Sequence, residues 1–85
     1  MKRPANPAEV EKRVLYLVAL HLFYEDEGVK PESTFQELGA DDLSMVELVL
    51  SLEEEYDIDI SDDEMVKFVT AGDVVSLVKA RLGIE

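Results

Sequence analysis

The side chains with the most chemical potential are Asp41, Asp42 and Ser44, within the segment Leu-Gly-Ala-Asp-Asp-Leu-Ser-Met-Val-Glu-Leu at residues 38–48. A deprotonated serine hydroxyl is a nucleophile, whereas phosphoryl transfer to a carboxylate would give a labile acyl phosphate. No complete catalytic site is indicated, because the chain has a single histidine and no cysteine. The single histidine, His21, falls on an apolar helical stripe, which favours an imidazole in the core or at its edge. With no glycine-rich phosphate loop either, we predict that the protein is not an enzyme.

Further acidic and hydroxyl residues alternate after this segment, as the ligands of a calcium loop do: Asp57, Asp59, Ser61 and Asp63. An EF-hand loop requires a glycine at the position of Asp62 and a glutamate at the position of Phe68. We therefore predict no specific metal site. Loose binding of divalent cations, which would relieve repulsion between carboxylates, stays open.

Four capped amphipathic segments must position these groups. Asn6 and Pro7 predict the start of a helix that continues to about residues 21–24. A long connection over residues 25–40 follows, with Phe35 and Leu38 as apolar anchors to the core.

Asp41 predicts the start of the second helix, and Ser61 and Thr70 those of a short third helix and a fourth. Gly83 then predicts the end of the last helix. The expected architecture is an all-α bundle of three main helices and one short helix, in a single domain that spans residues 1–85.

The second helix carries apolar residues on two sides. One side is predicted to face the core, with Leu48, Val49, Leu52 and Tyr56. The other side forms a stripe interleaved with acidic residues and consists of Leu43, Val46 and Leu50. A helix that is apolar nearly all round in so small a domain commonly keeps one side for a partner. The alternative is that both stripes are buried.

The segment at 38–48 resembles the attachment site of acyl carrier proteins, which usually reads Leu-Gly-x-Asp-Ser-Leu-x-x-Val-Glu-Leu. The resemblance in order and spacing extends over roughly residues 7–82. In that family the serine after the aspartate carries 4'-phosphopantetheine through a phosphodiester. Here the position holds Asp42, and a carboxylate cannot form a stable phosphodiester. We therefore expect the family's prosthetic group to be absent from the chain as written.

Ser44 is the less favoured alternative attachment residue. It aligns with a variable position of the family and lies about 200° around the helix from Asp42. A hydroxyl at this place in a first helical turn is more typical of a cap or a solvated side chain.

The resemblance also implies which residues meet partners and which line the core. The docking face would comprise Asp41, Leu43, Val46, Glu47, Leu50, Glu53 and Glu54. Leu48, Val49, Leu52, Phe35 and Ile60 would line the core, where an acyl chain could insert between helices.

The charge is concentrated around the second helix. The net charge is −12, and residues 31–66 contain no lysine or arginine beside thirteen acidic residues. Such a field repels nucleic acid and anionic membranes, and it attracts partners with basic patches. A solvated acidic face that serves solubility is the alternative.

The function implied is that of a monomeric carrier in fatty-acid or related lipid or polyketide biosynthesis, recognised by basic-patch enzymes of acyl-chain synthesis and transfer. The alternative is a binding or assembly subunit of the same fold that works without a prosthetic group. No apolar run is long enough to span a membrane. The start of the chain, with Lys2 and Arg3, lacks the apolar region of a signal peptide, so a cytoplasmic protein is expected.

Overall fold

The computed structural model describes residues 6–22 and 28–84, and these form a bundle of four helices. In chain order these are α1 (Pro7–Leu22), α2 (Asp42–Tyr56), α3 (Asp62–Met65) and α4 (Ala71–Leu82). No β-strand occurs in the two described ranges. The predicted all-α bundle of three main helices and one short helix is therefore confirmed. Among these residues, no helix is both long and apolar enough to cross a bilayer.

The helices start where capping residues predicted. The Asn6 side-chain oxygen accepts the Glu9 amide at 2.8 Å, which satisfies one of the unpaired donors at the start of α1. The predicted end of this helix near residue 24 lies outside the described residues. α4 ends at Leu82, and Gly83 caps it with a left-handed φ of 72°, which a glycine adopts without strain.

Capping boxes open α3 and α4. Ser61 accepts the Glu64 amide at 3.1 Å, and the Glu64 carboxylate accepts the Ser61 amide at 3.0 Å. Thr70 and Asp73 exchange the same pair of bonds at the start of α4. Because each box satisfies two backbone donors, even the four-residue α3 has a defined start.

The core lies between α1, α2 and α4, since α1 packs against both of the other long helices. Valines and leucines one helical turn apart provide the buried surface, and the most deeply buried are Val10, Val14, Val18, Leu48, Leu52, Val74 and Val78. Fully burying one such side chain stabilises the fold by about 1.5–3 kcal/mol. The predicted core residues Leu48, Val49, Leu52, Phe35 and Ile60 are all buried, and Tyr56 is half-buried.

The long connection before α2 is attached to the start of α4 by backbone hydrogen bonds. The Phe35 amide donates to the Val69 carbonyl at 2.9 Å, and the Gly72 amide donates to the Pro31 carbonyl at 2.7 Å. Phe35 and Leu38 are buried beneath the connection, as predicted. These contacts hold the connection that leads into α2 against the start of α4.

An ion pair joins α1 to α2 at the surface. The Arg13 guanidinium donates to both oxygens of the Glu55 carboxylate, at 2.8 and 3.0 Å. The same guanidinium lies 5.1 Å from the centre of the Tyr16 ring. Because both side chains are partly exposed to solvent, this contact adds at most about 1 kcal/mol to the packing of α1 against α2.

Candidate functional site

The first turn of α2 is held by a capping box between Asp41 and Ser44. The Asp41 carboxylate accepts the Ser44 amide at 2.9 Å, and the Ser44 hydroxyl oxygen accepts the Asp41 amide at 2.9 Å. The hydroxyl also donates to the Asp41 carbonyl at 3.0 Å. The hydrogen bond from the Ser44 amide is the main cause that lowers the pKa of Asp41, so its carboxylate is charged at neutral pH.

The structure therefore gives Ser44 a capping role. Its half-buried hydroxyl donates its only proton to the Asp41 carbonyl and accepts a hydrogen bond from the Asp41 amide. Attachment of a group to this oxygen would remove the proton from the bond to the Asp41 carbonyl. The cost would be that of one lost hydrogen bond, about 0.5–1.5 kcal/mol, because the bond from the Ser44 amide to the Asp41 carboxylate remains.

Asp42 is the first residue of α2, and its side chain is exposed. Within residues 6–22 and 28–84, its carboxylate makes no hydrogen bond or ion pair. A negative charge in the first turn stabilises a helix by about 0.3–1 kcal/mol through the helix dipole. Position 42 thus presents an exposed carboxyl group to solvent at the start of α2.

The two stripes of α2 have different environments. Leu48 and Leu52 are fully buried, whereas Leu43, Val46 and Leu50 are 66%, 40% and 57% exposed. The alternative in which both stripes are buried is therefore wrong. The exposed side chains, with the exposed carboxylates of Asp42, Glu47 and Glu54 between them, form the outer face of α2.

Glu53 has a structural role that the sequence did not indicate. Its half-buried carboxylate accepts the Ile60 amide at 2.8 Å and so holds the loop after α2 against the helix. Arg81 secures the far side of this loop, because it donates to the Asp59 carbonyl at 3.1 Å and pairs with Glu64. Glu53, Glu54 and Glu55 look alike in the sequence. In the structure Glu53 binds the Ile60 amide, Glu55 pairs with Arg13, and Glu54 is exposed.

A groove of about 650 Å³ lies between the start of α2 and α3. Half-buried Met45, Met65 and Phe68 contribute its apolar surface. The carboxyl-bearing residues Asp42 and Asp62 also line it. No sequence motif predicted this groove, since it depends on the relative placement of two helices.

His21 lies at the other side of the start of α2. It lines a small pocket with Leu43, Ser44 and Glu47, and its imidazole is half-buried. This position fits the predicted edge imidazole.

The capping carboxylates should make the fold sensitive to acid. Backbone hydrogen bonds lower the pKa values of Asp41, Glu64 and Asp73 below their unfolded values. Each therefore contributes stability above its unfolded pKa of about 4, and that stability is lost as pH falls through the lower, folded pKa. We expect Asp73→Asn to lower the unfolding free energy at pH 7, with a difference from the parent that shrinks towards pH 3.

Urea unfolding of both proteins across that pH range measures this difference. Acid also relieves repulsion between the other carboxylates. This changes the unfolding free energy of both proteins alike and cancels in the difference between them. A difference that stays constant with pH would contradict a role for the ionised cap.

Residues 12–78 match the family described as the phosphopantetheine attachment site. The fold is similar to the crystal structure of an acyl carrier protein from Thermotoga maritima, with a TM-score of 0.77 and 26% sequence identity. The alignment covers 91% of each chain.

The residues at the start of α2 do not fit covalent attachment of phosphopantetheine. The group requires an alcohol, and the exposed side chain at position 42 is a carboxylate. The nearby alcohol, Ser44, is occupied by the helix cap.

Proposed function

Because the chain belongs to the phosphopantetheine attachment-site family and is a carrier domain of the acyl carrier protein type rather than an enzyme, we propose that it serves fatty-acid or related lipid or polyketide biosynthesis. The family implies phosphopantetheine as the prosthetic group. We propose that Asp42 occupies the attachment position and leaves the chain as written unmodified. The exposed carboxylate at the first residue of α2 is the observation that carries this proposal.

Intact mass tests this directly. After incubation of the chain with coenzyme A and a phosphopantetheinyl transferase, we expect the mass of the bare polypeptide. A chain that gains the prosthetic group under these conditions would contradict the proposal. The capped hydroxyl of Ser44 supports the expected result, since it leaves no unengaged alcohol near position 42.

A binding or assembly subunit without a prosthetic group is the second candidate. Asp42 favours this candidate, because a carboxylate at the first residue of α2 complements the helix dipole. Such a subunit would retain the outer face of α2 and meet the same partners without carrying a chain.

Proteins of this family interact with enzymes of acyl-chain metabolism, and we propose that those of this chain present basic patches. The proposed docking face consists of Asp41, Leu43, Val46, Glu47, Leu50, Glu53 and Glu54. Exposed leucines and valine supply apolar contact area, and surrounding carboxylates steer a basic partner during encounter. We further propose a cytoplasmic monomer that does not bind nucleic acid.

Charge reversal tests the docking face. We expect Glu47→Lys with Glu54→Lys to slow association with a basic partner enzyme about tenfold or more at low salt, and to flatten the salt dependence. Stopped-flow or biosensor association rates measure the effect. Glu9→Lys with Glu11→Lys, two reversals on α1, changes the net charge by the same amount and provides the control for total charge.

Glu53 requires a gentler substitution than its neighbours. Glu53→Gln removes the charge but keeps an oxygen that can accept the Ile60 amide, whereas lysine would leave that half-buried amide unpaired. If the double Glu47/Glu54 variant associates with the partner as fast as the parent does at low ionic strength, this face is not used for docking.

A further inference from the structure

We propose that His21 and Glu47 form a proton-dependent ion pair, which closes the contact between α1 and α2 beside the start of α2 when the pH falls below neutrality. Protonation of the imidazole supplies the cation, and the Glu47 carboxylate supplies the anion. The pair itself does not depend on the proposed function, although one of its consequences does.

The two residues lie at the same level of an antiparallel helix pair. Arg13 and Glu55 join α1 to α2 through two hydrogen bonds of 2.8 and 3.0 Å. His21 follows Arg13 by eight residues, and Glu47 precedes Glu55 by eight residues. Because eight residues of helix rise about 12 Å, the two steps lead to the same height along helices that run in opposite directions. His21 and Glu47 therefore repeat, further along the contact, the placement of the existing ion pair.

The surroundings of the two side chains allow them to approach each other. Both line a pocket of about 180 Å³. The imidazole is half-buried in the last turn of α1, and Glu47 is exposed on the outer face of α2. The ion pairs within residues 6–22 and 28–84 are Arg13–Glu55 and Arg81–Glu64. The space in the pocket leaves room for both side chains to change rotamer and meet.

Glu47 is the carboxylate of this pocket that is available to a cation. The other carboxylate belongs to Asp41, which accepts the Ser44 amide at 2.9 Å and is engaged in the helix cap. The connection before α2 contributes the uncharged Gly39, and no described residue of α3 or α4 lines the pocket. Three further acidic residues follow α1 in the sequence and lie outside the described residues: Glu25, Asp26 and Glu27.

Histidine makes this contact responsive to pH, unlike the permanently charged arginine of the neighbouring pair. Its side chain ordinarily changes charge between about pH 5 and 8. A positive charge in the last turn of α1 is also favoured by the helix dipole. Protonated His21 gains the Glu47 partner only in the folded chain. The pair therefore stabilises the fold at the acidic end of this range, and the contribution is lost as the pH rises through it.

The pair has a consequence for docking that rests on the proposed function. Glu47 belongs to the proposed docking face, so its pairing would remove one steering charge at low pH. Between about pH 8 and pH 5.5, association of the parent with a basic partner enzyme should slow about twofold more than that of His21→Gln. Equal slowing of the two proteins, together with a pair demonstrated by unfolding, would contradict the docking role of Glu47 and not the pair.

A double-mutant cycle tests the pair itself. The parent, His21→Gln, Glu47→Gln and the double variant are unfolded in urea at low salt, at about pH 5.5 and about pH 8. At the lower pH, the effect of the double substitution on the unfolding equilibrium constant should fall about two- to fivefold short of the product of the single effects. At the higher pH the effects should multiply. The contribution of the helix dipole cancels in the cycle.

Matched variants identify the partner of His21. In a His21→Arg background, which supplies a permanent cation, Glu47→Gln should weaken the fold by a similar factor at both pH values. Cycles of His21→Gln with Asp41→Asn, which keeps a capping oxygen, or with Glu25→Gln should show no coupling that depends on pH. Circular dichroism checks that each variant keeps its helices. Independent effects of His21→Gln and Glu47→Gln at both pH values would overturn the inference, as would coupling that follows Asp41 or Glu25 instead.

Discussion

Asp42→Ser should convert a chain that stays at its polypeptide mass into one that gains a single 4'-phosphopantetheine. The substitution replaces an exposed carboxylate by an alcohol on the same capped first turn, and nothing else in the motif changes. Loss of the acidic charge from the first turn should cost the fold about 0.3–1 kcal/mol, so the helix remains formed. Mass spectrometry after treatment with coenzyme A and a transferase measures the outcome, which is expected to be all or none.

Matched variants make this result specific. Asp42→Asn removes the charge without supplying an alcohol and should remain unmodified, as should the parent. Asp42→Ser combined with Ser44→Ala should still be modified, although its helix cap is weaker. If the parent gains the group and Ser44→Ala abolishes it, the attachment residue is Ser44. If Asp42→Ser stays bare, the proposed attachment position is wrong.

The helix starts and the core could be predicted because their causes are local. A cap requires one side chain and an amide two or three residues later, so Asn6, Ser61 and Thr70 identified helix starts from short patterns. Apolar spacing likewise assigned Leu48 and Leu52 to the core. The proposed attachment position rests on a motif within a single segment, residues 38–48.

The remaining features depend on residues far apart in the chain. Arg13 and Glu55 are separated by 42 positions, and Arg81 and Glu64 by 17, so neither pair leaves a local pattern. The anchoring role of Glu53 depends on the path of the following loop, which a run of glutamates does not specify. The groove beside Asp42 likewise requires the final placement of α3 against α2.

Gly72→Ala should destabilise the protein although the residue lies within a helix. A methyl group at Gly72 would lie 2.9 Å from the Pro31 carbonyl oxygen, a backbone atom that cannot rotate away. Alanine favours a helix over glycine by about 0.5–1 kcal/mol, but overpacking costs about 1–3 kcal/mol. We expect a net loss of about 1–2 kcal/mol, with Tm lower by about 4–8 °C for each kcal/mol in a domain of this size. Thermal and urea unfolding measure both quantities.

The contacts of the long connection explain why the stability lost in Gly72→Ala should also affect the start of α2. The Gly72 and Ala71 amides donate to the Pro31 and Ser33 carbonyls at 2.7 and 2.8 Å, so displacement of Pro31 loosens the segment that leads into α2. Hydrogen exchange of these two amides should therefore accelerate in Gly72→Ala. An isolated peptide of residues 69–84 provides the control, because without Pro31 the same substitution should raise its helicity. Increased stability of the full chain would show that the connection shifts without cost, and that its contact with α4 does not fix the entry to the site.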